Sequence, residues 1–401
     1  MSTFTRPADT WSPPYFLAAL GAGGLAVTFF LWLYMWVPHP GQPVPIFEDV
    51  VRLWGNGNPV QQAMIVGAYL GLAFFAGLHV KHLIWNLGRY AAFKRTPAFA
   101  KVQNSNAGAS LFSLPLTLAM TINVGFSVGL AFVPGLWGVV EYLFPLALIA
   151  FAAVGIMTLR MMGAHLARMS VAGAFDMTKA GSFLQIQPAF ALGMVGVGMA
   201  APAAMSTSAT TAGIALILST LLLVISVIWA VIGVVLGLAA KLQHGSDADQ
   251  IPSLMIIVPV TTVLGILLLR QNHGLHVHFG VHGAPGDDLW MLTALLALQI
   301  AFLGFGWSVL KHHDYASRFM WGAKPSASAY GLICPGVAFS VLLQFWINSA
   351  LVGAGLIAEF SVAYWALTSV SVLAQFAMVV LLLALNRRHF SAMQATAVPA
   401  E

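Results

Sequence analysis

Four histidines crowd one short stretch, His273-Gly-Leu-His276-Val-His278-Phe-Gly-Val-His282, and Asp287 and Asp288 follow closely. Imidazole nitrogens at such spacing can ligate zinc, copper or nickel. On an extended outer loop, His276 and His278 would turn both rings to one face, which makes the four weak metal candidates; adventitious binding or pH-dependent charging is the plainer reading. His79 and His82, either side of Val80 and Lys81, together with His165, raise a second chemistry: haem or quinol binding in the membrane subunit of a redox complex. The single thiol, Cys334, precedes Pro335. Buried, it is a small inert hydrophobe; lining a pathway, it becomes a redox or chalcogen-handling group. One cysteine cannot form an intrachain disulfide. No nucleophile elbow, phosphate-binding loop or pair of mid-membrane carboxylates is present, so an enzyme is not expected.

These groups must be positioned by elements immersed in lipid. The chain of 401 residues is 59% hydrophobic and 7% charged, far from the quarter or so of charged residues in soluble domains. Apolar runs of about 20 residues, long enough to cross a bilayer core, fall at Tyr15–Val37, Gln61–Trp85, Leu111–Phe132, Val139–Leu159, Phe183–Met205, Gly213–Ala240, Ile251–Leu269, Trp290–Leu310, Ser328–Leu351 and Val362–Leu385. The first run is longer than a signal-peptide core and lacks a convincing cleavage site, so it is expected to remain as the first span. The expectation is an all-α membrane protein of ten helices, residues 1–390 forming a single transmembrane domain and residues 391–401 a short tail.

Lysine and arginine divide unevenly across that layout. Arg6, Lys81, Arg89, Lys94, Arg95, Lys101, Arg160, Arg168, Lys179, Lys241, Lys311, Arg318, Lys324, Arg387 and Arg388, 15 of the 17, fall on the side holding the termini, and Arg52 and Arg270 fall opposite. The positive-inside rule then places both termini in the cytoplasm of a bacterial inner membrane. The net charge of +5 is explained by this topology, without nucleic acid as a partner.

A repeat runs through the odd spans. Pro115, Pro188, Pro259 and Pro335 each stand early in one, at intervals of 73, 71 and 76 residues by subtraction, and each follows a serine-led run: Ser110-Leu-Phe-Ser-Leu-Pro115, Ser182-Phe-Leu-Gln-Ile-Gln-Pro188, Ser253-Leu-Met-Ile-Ile-Val-Pro259 and Ser328-Ala-Tyr-Gly-Leu-Ile-Cys-Pro335. Gly21, Gly23 and Gly24 take the proline's place in span one. A proline inside a helix removes a hydrogen bond and costs roughly 3 kcal/mol, and lipid cannot satisfy the freed carbonyl. Five kinked helical hairpins with quasi-fivefold symmetry are therefore expected, the odd helices as an inner ring and the even helices as an outer wall.

Within that ring the sequence places almost no fixed charge. Glu141, Arg270 and Glu359 fall near outer span ends, and Lys81 and Arg160 near inner ends, where long side chains reach the interface. The odd spans carry Thr117, Thr121, Asn123, Ser127, Gln185, Gln187, Thr261, Thr262, Ser340 and Gln344, which suit a neutral pore with a basic mouth. Phe112, Phe183 and Tyr330 could gate such a pore by dewetting. Passive or weakly coupled transport of a small anion is the reading these residues favour, and the lack of a mid-depth arginine argues mildly against strong selection of dicarboxylates.

Five hairpins, proline- or glycine-marked inner helices and a basic inner side resemble the plant slow-type anion channel and bacterial TehA tellurite-resistance/dicarboxylate transporter family, and within it a TsoY-like bacterial branch. The run Ala329-Tyr330-Gly-Leu-Ile-Cys334-Pro335 is similar to the family's Ala-Tyr-Thr-Phe-Pro segment, with Cys334 at the place of the pore-plugging phenylalanine, so the resemblance implies either another ring as the plug, Phe112 or Phe339, or use of the thiol itself. The resemblance implies a homotrimer, each protomer with its own pore, passing inorganic anions or oxyanions such as sulfite or tellurite without a cofactor.

Overall fold

The structure is a computed structural model that describes residues 11–173, 175–245, 247–282, 284–322 and 325–390. Arg6, Lys324 and the tail 391–401 lie outside the described residues. Among those described, every regular element is helical. Ten helices are long and apolar enough to cross a membrane, numbered here as spans one to ten: Pro13–Trp36, Pro59–Phe93, Asn106–Phe132, Leu136–Val171, Phe183–Met205, Ala209–His244, Ala248–Phe279, Gly286–His312, Ala327–Val352 and Val362–Phe390. The chain is a multi-pass membrane protein. Its ends share one face: Tyr15, at the start of span one, hydrogen-bonds through its hydroxyl with His389 Nδ1 at 3.0 Å, in the last turn of span ten.

Burial separates the spans into two sets. Between 56% and 83% of the apolar stretch of each odd span is buried, against 22% to 33% for the even ones. The odd spans touch one another in chain order, one to three, three to five, five to seven and seven to nine, and span nine packs back on span one. Small residues bring these helices close, as packing without a hydrophobic drive requires. A methyl group added at Gly21 would lie 2.7 Å from Ile333 Cγ2 of span nine, and one at Gly24 would lie 3.0 Å from Val337 Cγ1.

The repeating prolines have a different role from the expected kink. Each odd span opens with a 3-10 segment, at Pro13–Tyr15, Asn106–Phe112, Phe183–Ile186, Ala248–Ile256 and Ala327–Leu332, and then turns α-helical at Phe16, Ser113, Gln187, Ile257 and Ile333. Pro115, Pro188, Pro259 and Pro335 are the second or third residues of those α-helices. In a first turn the missing N–H costs little, so the penalty of an interior proline does not arise. All four are buried. The Gln185 carbonyl, three residues before Pro188, accepts from the Trp229 indole of span six at 2.8 Å. The serines of the repeat tie neighbouring lead-ins together: Ser253 Oγ accepts from the Phe183 amide at 3.1 Å, and Ser328 Oγ donates to Asp249 Oδ2 at 3.2 Å.

Candidate functional site

The ring of odd spans surrounds a cavity of about 820 Å³, lined from spans one, three, five, seven and nine with Phe144, Ala147 and Phe151 of span four, and open toward the face opposite the termini, where Pro43, Val44, His282 and Ala284 form part of its rim. At the termini end lies a second space of about 50 Å³, among the 3-10 lead-ins, bordered by Pro14, Gln187, Gln250, Ser253 and Ser328. Phe190, Pro259 and Cys334 line both. These three residues form the septum between a wide vestibule and a narrow inner chamber.

Of the aromatic residues expected to gate a pore, none lines either space. Phe112 packs beside His165 of span four, and Phe183 lies against Phe302 of span eight and Gly237 of span six. The Tyr330 hydroxyl donates to Asn386 Oδ1 of span ten at 2.9 Å, and Phe339 packs into the apolar clusters between helices. They turn toward helix interfaces because each stands on a flank of its inner helix. Cys334 does reach the axis. Phe190 is the ring at the septum, and the repeat contains its signal: two residues after each proline stand Thr117, Phe190, Thr261 and Val337, of which only Phe190 is aromatic.

Arg270 departs from the expectation of a lining without fixed charge. Span seven continues as a helix beyond Leu269 to Phe279, so Arg270 is no longer an outer-end charge; it lines the vestibule. It stands eleven residues after Pro259 and nine before Phe279, about 16 Å along the axis from the septum and about 14 Å from the helix end. Its Nη1 donates to the Val197 carbonyl of span five at 2.6 Å. The two ion pairs among the described residues are Arg52–Asp49 and Lys179–Asp176, so no carboxylate neutralises Arg270. Asp287 and Asp288 border the same cavity at its mouth, where Asp287 Oδ2 accepts from the Ala284 amide at 2.8 Å.

Most of the weakly polar residues expected in the pore join helices to one another. Thr121 Oγ1 lies 2.9 Å from His79 Nε2, Ser340 Oγ donates to the Ser371 carbonyl at 2.9 Å, and Gln299 Nε2 donates to the Val258 carbonyl and Thr262 Oγ1 at 2.9 and 2.6 Å. Asn123, Ser127 and Thr262 line the vestibule and Gln187 the inner chamber. Glu141 accepts from Ser206 Oγ and the Thr207 amide at 2.8 and 2.7 Å, which anchors the turn between spans five and six.

The histidine segment is helical up to Phe279, so His276 and His278 do not share the face an extended loop would give them. His273 and His276 border the cavity, whereas His278 Nε2 lies 2.9 Å from the Ser206 carbonyl. His276 and His282 bring Nδ1 atoms to 3.2 Å. Among the described residues no group of three or more His, Cys, Asp or Glu is placed to hold a metal ion. His79 engages both ring nitrogens, Nδ1 with the Ala19 carbonyl at 2.8 Å and Nε2 with Thr121, which leaves neither for axial haem ligation. His82 packs on Phe390 and His165 on Phe112, and neither lines the cavity.

Compared with known families, curated proteins and solved structures, the chain matches none.

Proposed function

We propose that this protein passes small anions across a bacterial inner membrane, through an axial conduit of five quasi-fivefold hairpins with both termini in the cytoplasm. The observation that carries the reading is Arg270, a guanidinium without a carboxylate partner among the described residues, in a cavity lined mainly by the five most buried helices. A fixed cation in a low-dielectric funnel concentrates anions and excludes cations. Val197 occupies one of its five N–H donors, and a carboxylate or oxyanion can take others in bidentate fashion. The septum of Phe190, Pro259 and Cys334 is the barrier such an ion must pass, and an apolar constriction of this kind gates by excluding water.

The vestibule's carboxylates, Asp287 and Asp288, are confined to its mouth. A proton- or sodium-coupled carrier would use such groups along its path, so passive or weakly coupled movement fits better. Membership of the slow-type anion channel and TehA group is part of the same proposal, and with it a homotrimer of 42.6 kDa protomers, testable from the particle mass in nanodiscs.

Flux into proteoliposomes tests the function. Chloride, nitrate, sulfite, tellurite and malate are compared with potassium, using the native chain, Phe190→Ala to remove the ring at the septum, and Arg270→Gln. Charge-assisted bonds contribute about 1.5–3 kcal/mol, so Arg270→Gln should lower anion flux roughly 10- to 150-fold. Equal passage of potassium and anions, or no anion flux from either the native chain or Phe190→Ala, would reject the proposal.

A further inference from the structure

The vestibule is far larger than a small inorganic anion needs, and its chemistry is lopsided. About 820 Å³ lies within the range of pockets that enclose organic ligands, which combine apolar walls with a few placed polar groups. Arg270 is the one lysine or arginine among the described residues of the lining; its other polar groups include Asn123, Ser127, Thr262 and, toward the mouth, His273 and His276, and the walls include Phe30, Phe126, Phe151, Met194, Val341 and Phe345. An inorganic ion paired with Arg270 would leave most of that apolar surface facing water. Between Arg270 and Pro259 the lined depth is about 16 Å, and the septum closes its inner end.

We infer that the vestibule is a binding site for an organic monoanion with an apolar body, a medium-chain or aromatic carboxylate whose head group pairs with Arg270 and whose body lies along the apolar wall. The inference rests on the reading of Arg270 as an anion's counter-charge. It is independent of passage through the septum. Among the described residues Arg270 is the one lysine or arginine of the lining and has no ion-paired carboxylate, so it matches one negative charge. A second anionic group reaching back to the mouth would meet Asp287 and Asp288, which disfavours dicarboxylates. Such a ligand occupies the site where a small anion would pause, so the two compete.

Equilibrium binding to the full chain in nanodiscs of zwitterionic lipid tests this, with acetate, butyrate, hexanoate and octanoate as probes, neutral 1-hexanol as a comparison and empty nanodiscs as the baseline. Each buried methylene contributes about 0.8 kcal/mol, so affinity should rise about fourfold per carbon, or roughly 15-fold per step in this series. Hexanoate should bind at least tenfold more tightly than 1-hexanol, and Arg270→Gln should abolish that difference while the helical circular dichroism stays unchanged. Should Arg270→Gln fail to fold, Arg270→Lys and the alcohol comparison on the native chain decide the matter. Absence of saturable binding above empty nanodiscs, an affinity flat with chain length, or equal binding of hexanoate and hexanol would overturn the inference. Because binding is read without flux, binding without anion transport would reject the transport reading alone, and transport without binding would reject this site alone.

Discussion

Gly23→Ala is the smallest change that probes how tightly the inner helices are held. A methyl group built at Gly23 falls 2.6 Å from Met120 Cγ and 2.8 Å from His79 Nδ1. The methionine can rotate away, but His79 is fully buried and joins three spans, through Ala19 of span one and Thr121 of span three. Relieving the overlap therefore requires the imidazole to move and weaken at least one hydrogen bond. Overpacking costs about 1–3 kcal/mol, and an interhelical hydrogen bond in a membrane protein about 0.6–1.5 kcal/mol. The expected loss is about 2–4 kcal/mol, measured by reversible unfolding in mixed micelles. Gly77→Ala is the control, since nothing lies within 4 Å of a methyl group there, and its effect should stay within about 0.5 kcal/mol. Combining Gly23→Ala with His79→Ala should recover part of the loss, with a coupling of about 1 kcal/mol in the double-mutant cycle. If Gly23→Ala is as stable as Gly77→Ala, the close approach of spans one, two and three is wrong.

Cys334 should react with an anionic methanethiosulfonate added from the vestibule side faster than with its cationic analogue, and Arg270→Gln should remove that preference; equal rates in the native chain would separate Arg270 from the path to the thiol. Phe190→Ala should join the two chambers, raise anion flux and make Cys334 accessible from the termini side as well, read by labelling in inverted vesicles. Asp176, in the connection before span five, has its carboxyl pulled down to about 2 by the Thr178 hydroxyl and the Lys179 ammonium. Its contribution is therefore complete above pH about 4 and is lost as pH falls through about 2, so pepsin should cut the connection more readily at pH 2 than at pH 4, and Asp176→Asn should flatten that difference.

The ten spans were legible because lipid imposes a minimum apolar length, and the repeating prolines fall in the first α-helical turns of four of the five odd spans. What the prolines do was less legible, since spacing alone cannot tell a mid-helix kink from a first-turn position after a 3-10 segment. Arg270 was misplaced for a specific reason. An apolar run stops at its first charge, whereas a helix continues as long as its polar residues face an aqueous cavity, as span seven does for ten residues past Leu269. By the same extension the stretch from His273 to Phe279 is helix rather than loop. Phe112, Phe183 and Tyr330 were plausible gates from their depth, but depth says nothing about azimuth, and each turns to a helix flank. Phe190 was visible only by comparing the same offset after every proline.

The unequal burial of the two helix sets also bears on how the chain is made. Spans three, five and nine are less apolar than the partners that directly follow them, spans four, six and ten, with the widest gap between five and six. An inner helix emerging alone at the translocon would expose glycines and hydroxyls to lipid, at a cost that its more apolar successor can offset. For these three pairs the expected unit of insertion is the hairpin. Separating span five from span six with a long soluble insert should impair integration far more than lengthening a connection between hairpins.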